Sequence, residues 1–77
     1  MTLPAPEERY ERLRQLLVEA REEAGLTQVE LAAKLERPHS FVWKVEHGVR
    51  RVDVIEFLEI AKTIGSNPII LLRKLGW

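Results

Sequence analysis

A short basic segment of the chain, residues 37–51, has side chains that can bind phosphate. It contains four lysine or arginine residues, two histidines and a single acidic residue. Guanidinium and ammonium groups neutralise phosphate oxygens and supply most of the sequence-independent affinity for a nucleic acid. The candidate side chains are Arg37, His39, Lys44, His47, Arg50 and Arg51. The segment is therefore a candidate polyanion-binding surface, although Lys44, Arg50 and Arg51 would also suit an ordinary solvated face.

The positive charge is confined to this segment. Residues 1–36 carry five basic and eight acidic side chains, residues 52–77 carry three of each, and the net charge of the chain is zero. Zero net charge gives no general attraction to nucleic acid. Any such attraction must come from residues 37–51.

Other chemistry is poorly supported by these residues. His39 and His47 lie eight positions apart, more than two helical turns, and would bind a metal only if a third ligand converged on them, so we expect no metal site. Ser40 and the histidines have no acid placed to orient a base, so a catalytic triad is not expected. We expect no enzyme activity, no cofactor and no small-molecule ligand.

The length and composition predict one small cytoplasmic domain. At 77 residues, folding buries roughly three-fifths of the surface of the unfolded chain. The absence of cysteine gives no sign of an oxidising compartment. The chain has neither a signal-peptide pattern at Met1–Glu8 nor the run of about 20 apolar residues that a membrane span needs. We therefore expect no membrane partner.

Glycine, proline and capping residues divide the chain into five predicted helices, and no strand pattern is present, so the predicted fold class is all-α. Capping boxes at Thr27/Glu30 and Asp53/Glu56 predict two helix starts. Glycines at 25, 48 and 65 predict helix ends, and Pro68 suits a first helical position. The predicted helices are Pro6–Ala24, Gln28–Leu35, His39–His47, the residues from Asp53 to Ile64, and Pro68–Leu75.

Apolar spacing predicts which side of each helix faces the core. The inward residues are Leu13, Leu17, Ala20 and Ala24 in the first helix, Leu31, Ala32 and Leu35 in the second, Val42 and Val45 in the third, and Val54, Phe57, Leu58 and Ala61 in the fourth. Ser40, Trp43, Lys44 and His47 then point outward. The last helix is apolar nearly all round, which predicts a homodimer interface at Ile69, Ile70, Leu71, Leu72 and Leu75.

Two short helices joined by a tight turn and followed by a basic loop form the arrangement that places a helix in the major groove. The run GLTQVELAAKLERPHSFVWKVEHGVRRVDVIEFLEIAKTIGSNP resembles the Cro/repressor-type (XRE) helix-turn-helix family. It is most similar to those members with a Q-S-F-V-S-K-x-E-x-G-E-R-R-x-D-V-x-E-F-L pattern. The resemblance covers roughly Leu13 to Leu75. It implies a five-helix, lambda-repressor-like DNA-binding domain over residues 1–77, with the helix-turn-helix motif at about 27–47.

The resemblance also implies a function: a transcriptional regulator that binds a palindromic operator in double-stranded DNA as a homodimer. Its base-reading positions are His39, Ser40 and Lys44, with Trp43 between them. Its phosphate-binding positions are Gln28, Arg50 and Arg51, to which the basic segment adds His47. The family also pairs an arginine near the end of the first helix with a glutamate at the end of the third. These are Arg21 and Glu46 here, the alternative being two unpaired surface charges.

Four residues depart from the family pattern. Glu36 replaces the usual turn glycine, so it must adopt an uncomfortable backbone conformation or change the turn. His39 replaces glutamine and cannot make the bidentate contact with adenine. Val49 replaces an acidic residue and leaves the loop more basic. Trp43 replaces a small serine, and either packs at a helix–helix or dimer contact or stacks on a sugar or a thymine methyl group.

Two functions from different classes remain open. The first is the DNA-binding regulator, which Gln28, Arg50 and Arg51 favour. The second is a protein-interaction module such as an antitoxin with weak DNA binding, which the zero net charge and Trp43 favour.

Overall fold

The computed structural model describes residues 6–76, which form five α-helices joined by turns and loops without any strand. The helices are α1 (Pro6–Glu23), α2 (Gln28–Lys34), α3 (His39–Glu46), α4 (Val54–Ile64) and α5 (Pro68–Leu75). The all-α prediction is confirmed. The first three helices each end one residue earlier than predicted. In α2 and α3 the residue predicted to be last, Leu35 or His47, is the C-cap.

Both predicted capping boxes are present. Thr27 Oγ1 accepts a hydrogen bond from Glu30 N at 3.0 Å, and Thr27 N donates to Glu30 Oε1 at 2.9 Å. Asp53 Oδ1 accepts from Glu56 N at 2.7 Å, and Asp53 N donates to Glu56 Oε1 at 3.0 Å. Each box satisfies free N–H groups of a first turn, so the starts of α2 and α4 are fixed by neighbours in sequence.

The turn between α2 and α3 places Glu36 in the left-handed region, with φ of 57°. Glu36 N donates to Ala33 O at 3.1 Å, and Arg37 N donates to Ala32 O at 2.9 Å. This is the pair of bonds that closes a helix with a left-handed residue, which is usually glycine. A side chain there costs about 1–2 kcal/mol. The predicted uncomfortable conformation of Glu36 is confirmed.

The core lies where α1 meets α3, α4 and α5, and where α2 meets α3 and α4. Its buried apolar side chains come from all five helices: Leu16, Leu17, Ala20, Leu31, Ala32, Phe41, Val42, Val45, Phe57, Ile60, Ala61 and Leu71. Because α3 packs against α1 and α2 through one side only, its other side is left open.

Part of the predicted core is wrong. Val54 and Leu58 of α4 are 72% and 43% exposed, whereas Ile60 is buried beside Phe57. Helix α4 is apolar enough to offer more than one stripe, and the stripe that meets the other helices is Phe57, Ile60 and Ala61. Ala24 is exposed as well, because it follows the last turn of α1.

Helix α5 uses one side for the core. Leu71 is 4% exposed and Leu75 is half-buried against the core, so Leu71 is already covered within the chain and does not belong to the predicted dimer surface. Ile69, Ile70 and Leu72 remain 58%, 50% and 36% exposed. Within residues 6–76, none of the helices has the length and apolar character needed to cross a membrane.

Candidate nucleic-acid interface

The open side of α3 carries the side chains expected to contact DNA. His39, Ser40, Trp43, Lys44 and His47 are all exposed. Residues four apart lie one above the other on a helix, so these side chains form an aromatic row at 39, 43 and 47 and a polar row at 40 and 44.

The last residue of α3 is tied to α1 by the predicted ion pair. Arg21 Nε donates to Glu46 Oε2 at 2.6 Å, and Arg21 Nη2 donates to Glu46 Oε1 at 3.0 Å. The remaining terminal nitrogen, Nη1, donates to Leu26 O at 2.7 Å. The hydrogen bond with Glu46 raises the pKa of Arg21. Because the Arg21 and Glu46 side chains are only 11% and 6% exposed, this two-bond contact fixes α3 against α1.

A second arginine of α1, Arg14, also binds the last residue of α3. Arg14 Nη1 donates to the backbone oxygen of Glu46 at 2.9 Å, satisfying a carbonyl at the end of α3. Gly48, beside this contact, has φ of 74°, and this left-handed conformation favours glycine there. Sequence reasoning missed Arg14. The available signal was its position seven residues before Arg21, on the same face of α1.

Gln28 and His39 are brought together, and both are connected to the ion pair. Gln28 Nε2 donates to Glu46 Oε1 at 2.8 Å, and Gln28 Oε1 lies 3.2 Å from His39 Nε2. A carboxylate only accepts, so the amide nitrogen faces Glu46, the amide oxygen faces the histidine, and His39 carries its proton on Nε2. Gln28, predicted to bind phosphate, therefore links the first and last residues of α3 in the free protein.

The loops on either side of α3 are fixed to α4 through Glu56. Arg50 donates from Nη1 to Glu56 Oε1 at 2.9 Å and from Nη2 to Oε2 at 2.8 Å. Arg37 Nη1 lies 3.3 Å from Glu56 Oε2. The Arg50 hydrogen bond, with smaller effects from Asp53 N and Arg37, lowers the pKa of Glu56 to about 2. The guanidinium groups of Arg37 and Arg50 also lie 4.4 and 4.8 Å from the ring centre of Phe41.

This arrangement changes the interpretation of Arg50. Its guanidinium is held by a carboxylate of the same chain, and 39% of its side chain remains exposed. Arg51 is different, because its guanidinium lies over the Tyr10 ring at 3.9 Å and its residue is exposed. Of the two loop arginines, Arg50 pairs with a carboxylate, whereas Arg51 lies over an aromatic ring. The signal for Glu56 in the sequence was its place in the capping box, which does not reveal an arginine partner.

The histidines lie apart, and each has its own partner. His39 contacts Gln28, while His47 Nδ1 donates to the backbone oxygen of Trp43 at 2.8 Å. The His47 ring also stacks on Trp43, with ring centres 4.1 Å apart and planes inclined by 18°. In the described part of the chain, no three His, Cys, Asp or Glu residues come together as a metal site would require.

Comparisons with known proteins agree with this geometry. The family profile described as a helix-turn-helix domain matches residues 12–68, which include the whole of α2 to α4. The chain is thus a helix-turn-helix domain, a DNA-binding type of regulator.

The particular family follows from a solved structure, an XRE-family like protein from Pseudomonas syringae pv. tomato str. DC3000. It is 55% identical over 90% of this chain and 84% of its own, with a TM-score of 0.86. The chain belongs to the XRE helix-turn-helix family. Among curated proteins, no sequence matches.

Proposed function

We propose that the protein regulates transcription by binding an operator as a homodimer, with α3 of each copy in the major groove and without catalytic activity of its own. The observation that carries this proposal is the set of hydrogen bonds that hold α3 in a fixed position. Its first and last residues are linked through Gln28, and its last residue is bound to Arg21. Its outer side is open to solvent. A rigid helix with one exposed polar side is suited to read base edges.

Phosphate contacts would come from the same side of the molecule. His47 lies on the outer side of α3, and Arg51 follows in the loop. Arg50 would contribute less than the sequence indicates, because Glu56 already neutralises it. Since the net charge of the chain is zero, we expect affinity to depend on these few basic side chains and to weaken as salt rises.

Dimer formation would use the open side of α5. Ile69, Ile70 and Leu72 present apolar surface that the described part of the chain leaves uncovered. A second copy that buries this surface would pair two α3 helices. Half-sites one turn of DNA apart require them to be about 34 Å apart.

A gel-shift titration on random-sequence duplex DNA at low and physiological salt tests the proposal. Wild-type protein should bind at low salt and weaken as salt rises. Lys44→Glu should abolish binding by placing a negative charge on the outer side of α3. Lys62→Glu, the same change at an exposed position of α4, is the matched control and should bind nearly as wild type. Wild-type protein that binds no duplex at either salt would contradict DNA binding and favour the protein-interaction module.

A further inference from the structure

Trp43 and His47 form a stacked aromatic pair on the outer side of α3. Their ring centres are 4.1 Å apart and their planes are nearly parallel. The hydrogen bond from His47 Nδ1 to Trp43 O fixes the histidine ring, and that ring in turn covers one face of the indole. A tryptophan held in this way loses little conformational freedom when it contacts a ligand.

The pair presents apolar surface within the basic segment of the chain. Trp43 is 43% exposed, and Lys44 and Arg51 lie in the same segment, which carries an excess of positive charge. A partner for this surface should offer a small apolar group close to several negative charges. The major groove of DNA meets this requirement, because thymine places a C5-methyl group there between two rows of phosphates.

The polar row and the aromatic row of α3 would then make different kinds of contact with DNA. Ser40 and Lys44 carry groups that hydrogen-bond to base edges. The ring carbons of Trp43 cannot do so, and the single N–H of an indole cannot make a two-bond contact with a base. A single hydrogen bond from the indole N–H aside, Trp43 discriminates between base pairs through apolar contact, and the apolar group of the major groove is the thymine methyl.

We infer that the Trp43–His47 pair recognises a thymine methyl group at one position of each half-site, which makes Trp43 a specificity-determining residue. This inference rests on the proposed DNA-binding function. It commits the pair to DNA and not to contact with a second copy of the chain.

The test begins with selection of preferred duplexes from a random library by wild-type protein. Each thymine of the selected site is then replaced in turn by deoxyuridine, which removes the methyl group and nothing else. Wild-type affinity should fall about fourfold at one thymine per half-site, the factor that corresponds to burial of one methyl-sized group. It should change little at the other thymines.

Substitutions in α3 show which residue is responsible for the loss of affinity at the deoxyuridine position. Trp43→Ala and Trp43→Gln should bind the selected duplex more weakly, and the sensitive thymine should no longer matter to either. Two substitutions are used so that one misfolded variant does not decide the test, and thermal unfolding checks both. Lys44→Ala is the matched control on the same side of α3: it should bind more weakly yet keep the fourfold difference between thymine and deoxyuridine.

Several results would overturn the inference, and they are distinguishable from failure of the proposed function. Tight binding to a selected duplex with no thymine sensitive to its methyl group would contradict methyl recognition and leave DNA binding intact. Equal sensitivity in wild type and both folded Trp43 variants would assign the methyl contact to another residue. A change of oligomeric state in those variants would place Trp43 in a contact between copies. Failure to enrich any sequence would contradict both proposals.

Discussion

Arg50 and Glu56 face each other through two parallel hydrogen bonds, of 2.9 Å between Nη1 and Oε1 and 2.8 Å between Nη2 and Oε2. Glu56 is also the third residue of α4 and closes the capping box with Asp53. One buried carboxylate therefore starts α4 and holds the loop that follows α3. A substitution of Glu56 therefore affects both the start of α4 and the position of the loop after α3.

Acid should destabilise the protein partly through Glu56. Its pKa is lowered from the usual value to about 2 in the folded state, so its ion pair stabilises the fold fully above the unfolded pKa of about 4.3. That contribution is lost as pH falls from about 4.5 to 2. We expect the wild-type melting temperature to decline over this range and Glu56→Gln to decline less. If the melting temperatures of the two proteins fell equally as pH falls over this range, Glu56 would not be the source of the acid sensitivity.

Loss of the Glu46 carboxylate should destabilise the fold. Glu46→Ala leaves the nearly buried Arg21 guanidinium and the Gln28 amide without their partner. Removing one member of a fully buried ion pair costs about 3–5 kcal/mol, and the partial exposure of Arg21 should reduce that cost. Chemical denaturation measures the loss in the free energy of unfolding. Glu19→Ala, at an exposed position of α1, is the control and should stay within about 0.5 kcal/mol of wild type. Equal stability of Glu46→Ala and wild type would show that the pair contributes nothing.

Glycine at position 36 should stabilise the protein. Glu36 has φ of 57°, and the strain of about 1–2 kcal/mol exceeds the entropic cost of glycine, about 0.5–1 kcal/mol. The net gain of up to about 1.5 kcal/mol corresponds to a melting temperature several degrees higher. Ala33→Gly, within α2 and also exposed, should lower the melting temperature. A lower melting temperature for Glu36→Gly would contradict this account of the turn.

Substitution of a phosphate-binding residue and of a base-reading residue should have different effects on DNA binding. Arg51→Ala should weaken binding to all sequences alike and lower the salt slope by about one. Lys44→Ala should relax preference at one or two positions of each half-site, by roughly 1–3 kcal/mol. Selection from a random library, followed by salt titration, measures both effects. An altered preferred sequence for Arg51→Ala, with an unaltered one for Lys44→Ala, would reverse the two assignments.

The proposed dimer should depend on α5. Wild-type protein should be dimeric at micromolar concentration by light scattering, and Ile69→Glu should shift it to monomer by placing a charge in apolar contact. Val29→Glu is a close control, since Val29 on α2 has the same 58% exposed fraction. It should leave the dimer unchanged. A monomeric wild-type protein that binds DNA as one copy per site would exclude this interface.

Much of the candidate site was predictable from the sequence because it rests on short-range pattern. The exposure of Ser40, Trp43, Lys44 and His47 followed once Val42 and Val45 were assigned to the core, since helical geometry leaves those positions on the other side. The stack of Trp43 on His47 also joins residues one turn apart. Its presence was not predicted, because four-residue spacing permits a contact without requiring it.

By itself the sequence determined the helices and their order. Capping boxes at Thr27 and Asp53 depend on groups within a few residues of each other, so local pattern suffices to predict them. The strained residue of the turn followed from the family resemblance, which places Glu36 where the family has glycine. Only the tertiary structure decided which stripe of α4 is buried, and that Arg50 binds Glu56 while Gln28 connects His39 to Glu46. These outcomes depend on how separate helices pack, and the distances between side chains on different helices are set by the whole core.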